Sequence, residues 1–205
     1  MKNTKTLMTV AAMATLGFAA NAAHALTFDL SLVYTGATPG GTAPWMTITI
    51  TDVAADTVNM SISHNASSAA GQFISDVYFN LDPFVGSMSV SNEVNANKRS
   101  GLTLSNNGIN GAAGNVFDMN VQFVTSNSSG GANRLKPGET WSADLMAAGL
   151  SANSFNAVNN MGNYVGAHLQ GIQGGLSSHI TTPEPGTWAA IGLGALALLR
   201  KRKKA

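Results

Sequence analysis

The chain has no cysteine, and only 10% of its 205 residues are charged. Without thiols there can be no disulfide bonds, and thiol catalysis, cysteine-zinc centres and iron–sulfur clusters are excluded. Residues 26–182 carry four basic and nine acidic side chains, a net charge of −5. Nucleic-acid binding needs a basic face to neutralise phosphates, so the composition argues against a nucleic-acid partner.

Recognisable catalytic patterns are missing as well. His64, His168 and His179 show no H-x-H or H-E-x-x-H spacing, no G-x-S-x-G sequence occurs, and His179 falls in a stretch that we assign to a linker. Serines are abundant, so composition alone leaves a Ser-His-Asp triad open, while the nine acids nominate no pair for glycoside hydrolysis. We therefore predict that the protein is not an enzyme and has no catalytic residues, no cofactor and no zinc site.

The first 25 residues have the pattern of a secretory signal peptide. Lys2 and Lys5 precede an uncharged stretch at residues 6–20, and Ala23, His24 and Ala25 supply an A-x-A cleavage site. The apolar stretch is short for a bilayer core of ~30 Å, which takes about 20 helical residues. We predict a signal helix over residues 1–25, removed after Ala25.

The C-terminal end combines three features in a fixed order. A Pro-Glu-Pro sequence is followed by an apolar run at residues 188–199 and by a basic run at residues 200–204. As a helix, the apolar run is only ~18–21 Å long, which favours a brief membrane anchor with its basic end in the cytoplasm. The candidate sorting residues are Pro183, Glu184 and Pro185; the membrane segment comprises Trp188, Ile191, Leu193, Leu196, Leu198 and Leu199; the basic stop comprises Arg200, Lys201, Arg202, Lys203 and Lys204.

This tail resembles the PEP-CTERM sorting signal, which is read by exosortase, a membrane protease-transpeptidase of Gram-negative bacteria. The resemblance implies that exosortase recognises Pro183, Glu184 and Pro185 as substrate while the tail contacts the inner membrane transiently. It also implies delivery to the outer surface or extracellular matrix, and association with exopolysaccharide and biofilm. An ordinary anchor that is never cut is the alternative, and the position of the cut bond stays open.

Between the two ends, residues alternate between apolar and polar with period two, which is typical of β-strands. The predicted strands lie at residues 28–34, 46–50, 58–62, 73–81, 85–90, 117–123, 141–145 and 165–169. Turn sequences separate them, including one at residues 105–108, and residues 150–158 form a short helix or turn with Ser151 as N-cap. We predict an all-β antiparallel β-sandwich of jelly-roll or Greek-key type at residues 26–180, before a sorting tail at 181–205.

Two groups of side chains in this predicted sandwich are candidates for ligand binding. Asp76, Asn80 and Asp82 lie at alternate positions and so share one face of the predicted strand, and each carries the oxygen ligands that Ca²⁺ prefers. Neighbouring residues on one strand face are ~6.6 Å apart, so a loop would have to complete the site. The aromatic candidates for a sugar-stacking platform, for which core packing is the favoured alternative, are Tyr34, Trp45, Tyr78, Trp141 and Tyr164.

The leading hypothesis is a non-enzymatic structural protein of the cell surface or extracellular matrix. The alternative is a carbohydrate-binding module or a calcium-dependent lectin-like domain, and a polysaccharide-active hydrolase is a third candidate.

Overall fold

The computed structural model describes residues 24–183, in which eleven β-strands and three 3₁₀ turns are connected by loops. The strands are β1 (Ala25–Leu30), β2 (Leu32–Gly36), β3 (Met46–Ala54), β4 (Thr57–His64), β5 (Phe73–Phe79), β6 (Ser89–Val94), β7 (Arg99–Asn110), β8 (Val116–Phe123), β9 (Thr140–Met146), β10 (Val165–Ile172) and β11 (Leu176–Thr181). The 3₁₀ turns span Ala96–Lys98, Ser128–Gly131 and Ala152–Phe155. The predicted signal helix and the predicted hydrophobic tail helix lie outside the described residues. Within 24–183, none of the helical segments has the length and apolar character needed to cross a bilayer.

The strands form two antiparallel sheets, so the predicted all-β class is confirmed. One sheet has the order β1-β3-β4-β9-β6 and the other the order β2-β11-β10-β5-β8-β7. Apolar side chains from both sheets, such as Ile48 and Ile62 from the first and Val77 and Val121 from the second, belong to one buried cluster. This arrangement is sandwich-like, and the jelly-roll or Greek-key connection stays a prediction.

The predicted first strand at residues 28–34 is in fact two strands in different sheets. The chain passes from β1 to β2 at Ser31, whose N–H donates to the Thr181 carbonyl of β11 at 3.0 Å. The period-two pattern runs through this crossing because side chains keep alternating on both sides of it. The sequence pattern therefore shows the alternation but not the change of sheet.

Two strands were not predicted at all. Strand β11 lies between β2 and β10, and it contains His179, so the assignment of His179 to a linker was wrong. Strand β7 lies at the edge of its sheet and contains the predicted turn at residues 105–108. The strand predicted at 85–90 begins later, as β6 at Ser89.

The turn sequence inside β7 forms a bulge within one strand and does not separate two strands as predicted. Leu104 pairs with Met119 and Ile109 with Phe117, so residues 105–108 all stand opposite Asp118. The Asp118 carboxylate is buried and accepts the N–H of Asn107 at 2.6 Å. A bulge of this kind leaves backbone donors without ladder partners, and Asp118 satisfies one of them.

The short helix or turn predicted at residues 150–158 is a single 3₁₀ turn, Ala152–Phe155. At its start, the Ser151 N–H donates to Ser154 Oγ at 3.2 Å, and Asp52 of β3 accepts the Ala152 N–H at 2.6 Å. Phe155 is fully buried and meets Phe79 edge-on, with ring centroids 5.7 Å apart. The turn thus adds an aromatic side chain to the shared core.

Candidate functional site

The last strand runs directly into the predicted sorting residues. Strand β11 ends at Thr181, and Pro183 follows after one residue, Thr182. Thr181 is held on both sides, because its carbonyl accepts the Ser31 N–H and its Oγ1 donates to the Val165 carbonyl at 2.7 Å. The folded sheet and the Pro-Glu-Pro sequence are therefore separated by no flexible spacer.

A cavity of about 400 Å³ opens at this junction. We call it the junction cavity; it is lined by Leu26, Thr27, Phe28, Asp29, Ser31, Asn156, Tyr164, Thr182 and Pro183. Leu26 is the residue that follows the predicted signal cleavage site, and Pro183 is the first of the predicted sorting residues. The two predicted processing positions are thus brought to one surface, as chain termini of domains often are. Glu184, Pro185 and the predicted membrane and basic residues lie outside the described part of the chain.

The rim of the junction cavity is polar and its floor is apolar. Thr27, Asp29 and Asn156 are exposed, and Asp29 accepts a hydrogen bond from Thr47 Oγ1 at 2.7 Å. Phe28 is buried beneath them and packs against Tyr164, with ring centroids 6.2 Å apart. A polar rim around a buried aromatic floor is the usual composition of a protein contact surface.

The three calcium candidates lie in different surroundings. Asp76 accepts a hydrogen bond from Asn120 Nδ2 at 3.0 Å. Asn80 is buried, and its amide donates to the carbonyls of Asn163 and Tyr164. Asp82 is exposed and lies beyond the end of β5. In the described part of the chain, no three histidine or carboxylate side chains come together in a way that could hold a metal ion.

A serine, a histidine and an aspartate do meet on β5 and β10, but not as a catalytic triad. A β-bulge places both Ser75 and Asp76 opposite His168. Ser75 Oγ lies 2.9 Å and Asp76 Oδ2 lies 3.7 Å from the same ring atom, His168 Nδ1. A triad needs the serine on one ring nitrogen and the carboxylate on the other. Ser75 is also only 2% exposed, so this group is not arranged for nucleophilic attack.

The rings of His168 and His179 stack across β10 and β11, with centroids 4.3 Å apart and planes within 2° of parallel. Burial, followed by the charge of His168, lowers the pKa of His179 from 6.5 to about 4, and the nearby Asp76 carboxylate acts in the opposite direction. Burial of His179 thus keeps its neutral form dominant in the folded protein at pH values above about 4.

This depressed pKa predicts a loss of stability in mild acid. Between pH 6.5 and about 4 the unfolded chain binds a proton at His179 that the folded chain does not. The free energy of unfolding should therefore be highest above pH 6.5 and fall as the pH approaches 4. Melting temperatures at pH 7 and pH 4.5, followed by circular dichroism, measure the difference.

The matched variant is His179→Gln, which keeps a polar side chain but cannot be protonated. His64 is also buried with a lowered pKa and acts in the same direction, so some pH dependence should remain. We expect a smaller drop in melting temperature for His179→Gln than for the parent. Identical drops in the two proteins would contradict the assignment.

The aromatic candidates pack into the interior, so the core alternative is confirmed for three of the five. Trp45, Tyr78 and Trp141 are at most 6% exposed. Tyr34 is half-buried, and its hydroxyl donates to the Gly111 carbonyl at 2.5 Å. Tyr164 is half-buried in the junction cavity. The described aromatic side chains therefore present no extended row for stacking sugars.

A second cavity, of about 300 Å³, was not predicted from the sequence. We call it the basic cavity; it is lined by Gly71, Gln72, Phe73, Asn127, Gly130, Arg134 and Lys136. Within residues 24–183, Lys98 and Arg99 form ion pairs with Glu139 and Glu93. The other two cations, Arg134 and Lys136, both line this cavity, and the Arg134 guanidinium lies 4.0 Å from the Phe73 ring centroid. In the sequence, the only sign of this cavity is that Arg134 and Lys136 lie two residues apart.

Comparison with known protein families identifies the C-terminal segment. The family model described as "PEP-CTERM protein-sorting motif" matches residues 181–203. The matched segment begins at Thr181, the last residue of β11. Comparison with curated proteins and with solved structures finds no match.

Proposed function

We propose that this chain, which carries the PEP-CTERM protein-sorting motif at residues 181–203, is a structural protein of the cell surface or extracellular matrix. The motif indicates that the protein is exported and processed at the membrane by exosortase, and it is the observation on which the proposal depends. Association with exopolysaccharide and biofilm, on the outer surface of a Gram-negative bacterium, belongs to the same proposal.

The position of the motif relative to the fold supports this role. All eleven strands are complete before Pro183, and the final strand is held between two neighbours. Removal of the residues that follow would break no backbone pairing between the described strands. A domain arranged in this way can be released from the membrane while it remains folded.

The contacts of the described side chains favour a non-enzymatic role. Ser75, His168 and Asp76 meet at one ring nitrogen, which is unsuited to nucleophilic catalysis. Glu93 and Glu139 are each held in an ion pair with a neighbouring cation. These side chains therefore stabilise the fold, as expected for a structural domain.

The basic cavity favours carbohydrate binding as a second candidate function, in place of the aromatic platform and the calcium site. It brings together two cations and the amide of Gln72, whose Oε1 is buried without a hydrogen-bond partner. Cations and amides are the groups that recognise carboxylate and hydroxyl substituents of acidic sugars. Glycan-array binding, with and without Ca²⁺, separates the two functions: binding to acidic glycans alone favours the second.

Processing by exosortase predicts the C-terminus of the mature protein. Bonds up to Thr181 lie in a strand paired on both sides, so a protease cannot reach them without unfolding the sheet. We expect mass spectrometry of the surface-released protein to show a C-terminus at or after Thr182 and no peptide from residues 188–199. Recovery of residues 188–199 in the mature form, or a terminus inside β11, would contradict the proposal.

A further inference from the structure

We infer that the sorting enzyme binds the folded domain as well as the motif, and that the junction cavity is the surface on which it docks. The inference rests on the proposed processing by exosortase and adds a second recognition element to it. Its starting point is the absence of a spacer between β11 and the Pro-Glu-Pro sequence.

The short distance between β11 and Pro183 brings the sorting enzyme into contact with the folded domain. An extended chain advances at most about 3.3–3.6 Å per residue, and one residue, Thr182, separates the end of β11 from Pro183. Any enzyme that encloses Pro183 is therefore within about 7 Å of the end of β11. Pro183 itself lines the junction cavity, so the walls of that cavity are the first part of the domain that the enzyme meets.

The walls have the chemistry of a docking surface. Their floor is the half-buried ring of Tyr164, which packs against the buried Phe28, and their rim offers the exposed side chains of Thr27, Asp29 and Asn156. A cavity of about 400 Å³ has room for a side chain from the partner. The Asp29 carboxylate suits a donor group or a basic side chain on the enzyme.

Two single substitutions test the docking surface while leaving its floor intact. Thr27→Arg and Asn156→Arg each place a long charged side chain at the rim, where the wild-type residue is exposed. In cells that contain exosortase, we expect pulse-chase conversion of the tailed chain into the tail-free form to slow about tenfold for each variant. Signal removal, read from the same gel, should keep its parental rate for Asn156→Arg, which is far along the chain from the predicted cleavage site after Ala25.

Matched controls are available on other surfaces. Asn153→Arg alters an exposed asparagine in the 3₁₀ turn Ala152–Phe155, which Asn156 directly follows, but Asn153 does not line the junction cavity. Thr103→Arg alters an exposed threonine on β7, which, like β1, is an edge strand. Both controls should be processed at the parental rate, and the melting temperatures of all four variants should stay close to that of the parent.

Parental processing rates for both Thr27→Arg and Asn156→Arg would overturn the docking surface. A Pro183→Ala variant, run in parallel, separates this failure from failure of the proposed function. If Pro183→Ala is impaired while the rim variants are not, the enzyme reads the motif alone. If Pro183→Ala is also processed normally, exosortase processing itself is wrong.

Discussion

The triple variant Pro183→Ala, Glu184→Gln, Pro185→Ala is expected to be exported normally but to lose more than about nine-tenths of its tail removal. The sorting enzyme must hold the peptide in one geometry beside its reacting groups. Each proline fixes its own φ near −65° and restricts the residue before it. Glu184 is the only charged side chain between Asp144 and the basic run. Removing these restraints misplaces the scissile bond, which lowers the rate steeply.

The measurement is the ratio of tailed to tail-free chain on the cell surface, read by intact-protein mass spectrometry. Pro137→Ala is the matched control, because it removes a proline from a turn far along the chain from the motif. Deleting residues 200–204 is a second arm: export should persist, but sorting should be disrupted if the basic run holds the tail at the cytoplasmic face, as the sequence predicts. Normal tail removal in the triple variant would exclude the motif as the recognition element.

Trp141→Ala is expected to lower the free energy of unfolding by about 3–5 kcal/mol. Trp141 is fully buried on β9, and its ring meets Phe123 of the other sheet edge-on at 5.8 Å. Its Nε1–H donates to Glu93 Oε1 at 2.7 Å, and Glu93 holds Arg99 through two further hydrogen bonds. The loss is large because the substitution removes an aromatic contact between the sheets and a hydrogen bond to a charged group.

Urea denaturation of the parent and the variant measures this loss, and a pair of phenylalanine variants divides it. Trp141→Phe removes the hydrogen bond to Glu93, whereas Trp45→Phe removes a buried N–H that has no partner. We therefore expect Trp141→Phe to be the more destabilising of the two by about 1.5–3 kcal/mol. Equal losses in both variants would show that the Glu93 contact contributes nothing measurable.

The same contacts connect the open edges of the two sheets. Glu93 lies on β6, the edge of the five-stranded sheet, and Arg99 begins β7, the edge of the six-stranded sheet. The Arg99 guanidinium beside Glu93 holds the pKa of that carboxyl below its usual range. Because the two residues are joined by only a short segment, their bidentate pair fastens both sheets at a place where neither has a further strand.

Strand prediction from the sequence succeeded where one face of a strand is apolar and buried. Strands β3, β4 and β9 follow strict alternation, and their inward residues are fully buried. Strand β11 was missed because its inward-facing positions include Ser178, which is buried although it is polar. Strand β7 was missed because it lies at an edge and contains a bulge whose residues are those of a turn.

For the candidate ligand sites, the sequence likewise showed individual residues but not which residues come together. Alternation predicted that Asp76, Asn80 and Asp82 share one face, but in the structure Asp76 bonds Asn120, Asn80 bonds the carbonyls of Asn163 and Tyr164, and Asp82 is exposed beyond β5. Likewise, Arg134 and Lys136 were visible in the sequence, while Phe73 and Gln72, which complete the basic cavity, come from a distant part of the chain. Such groupings depend on strand order and register, which local patterns do not contain.

The sequence by itself determined the sorting motif, because a processing enzyme reads a continuous peptide whose order of proline, apolar and basic residues is complete in the chain. It also determined the all-β class, because alternation is a property of neighbouring residues. Only the tertiary structure decided that β11 ends one residue before Pro183, and that Leu26 and Pro183 line one cavity. These are distances between residues far apart in the chain, and they are fixed by the packing of two sheets.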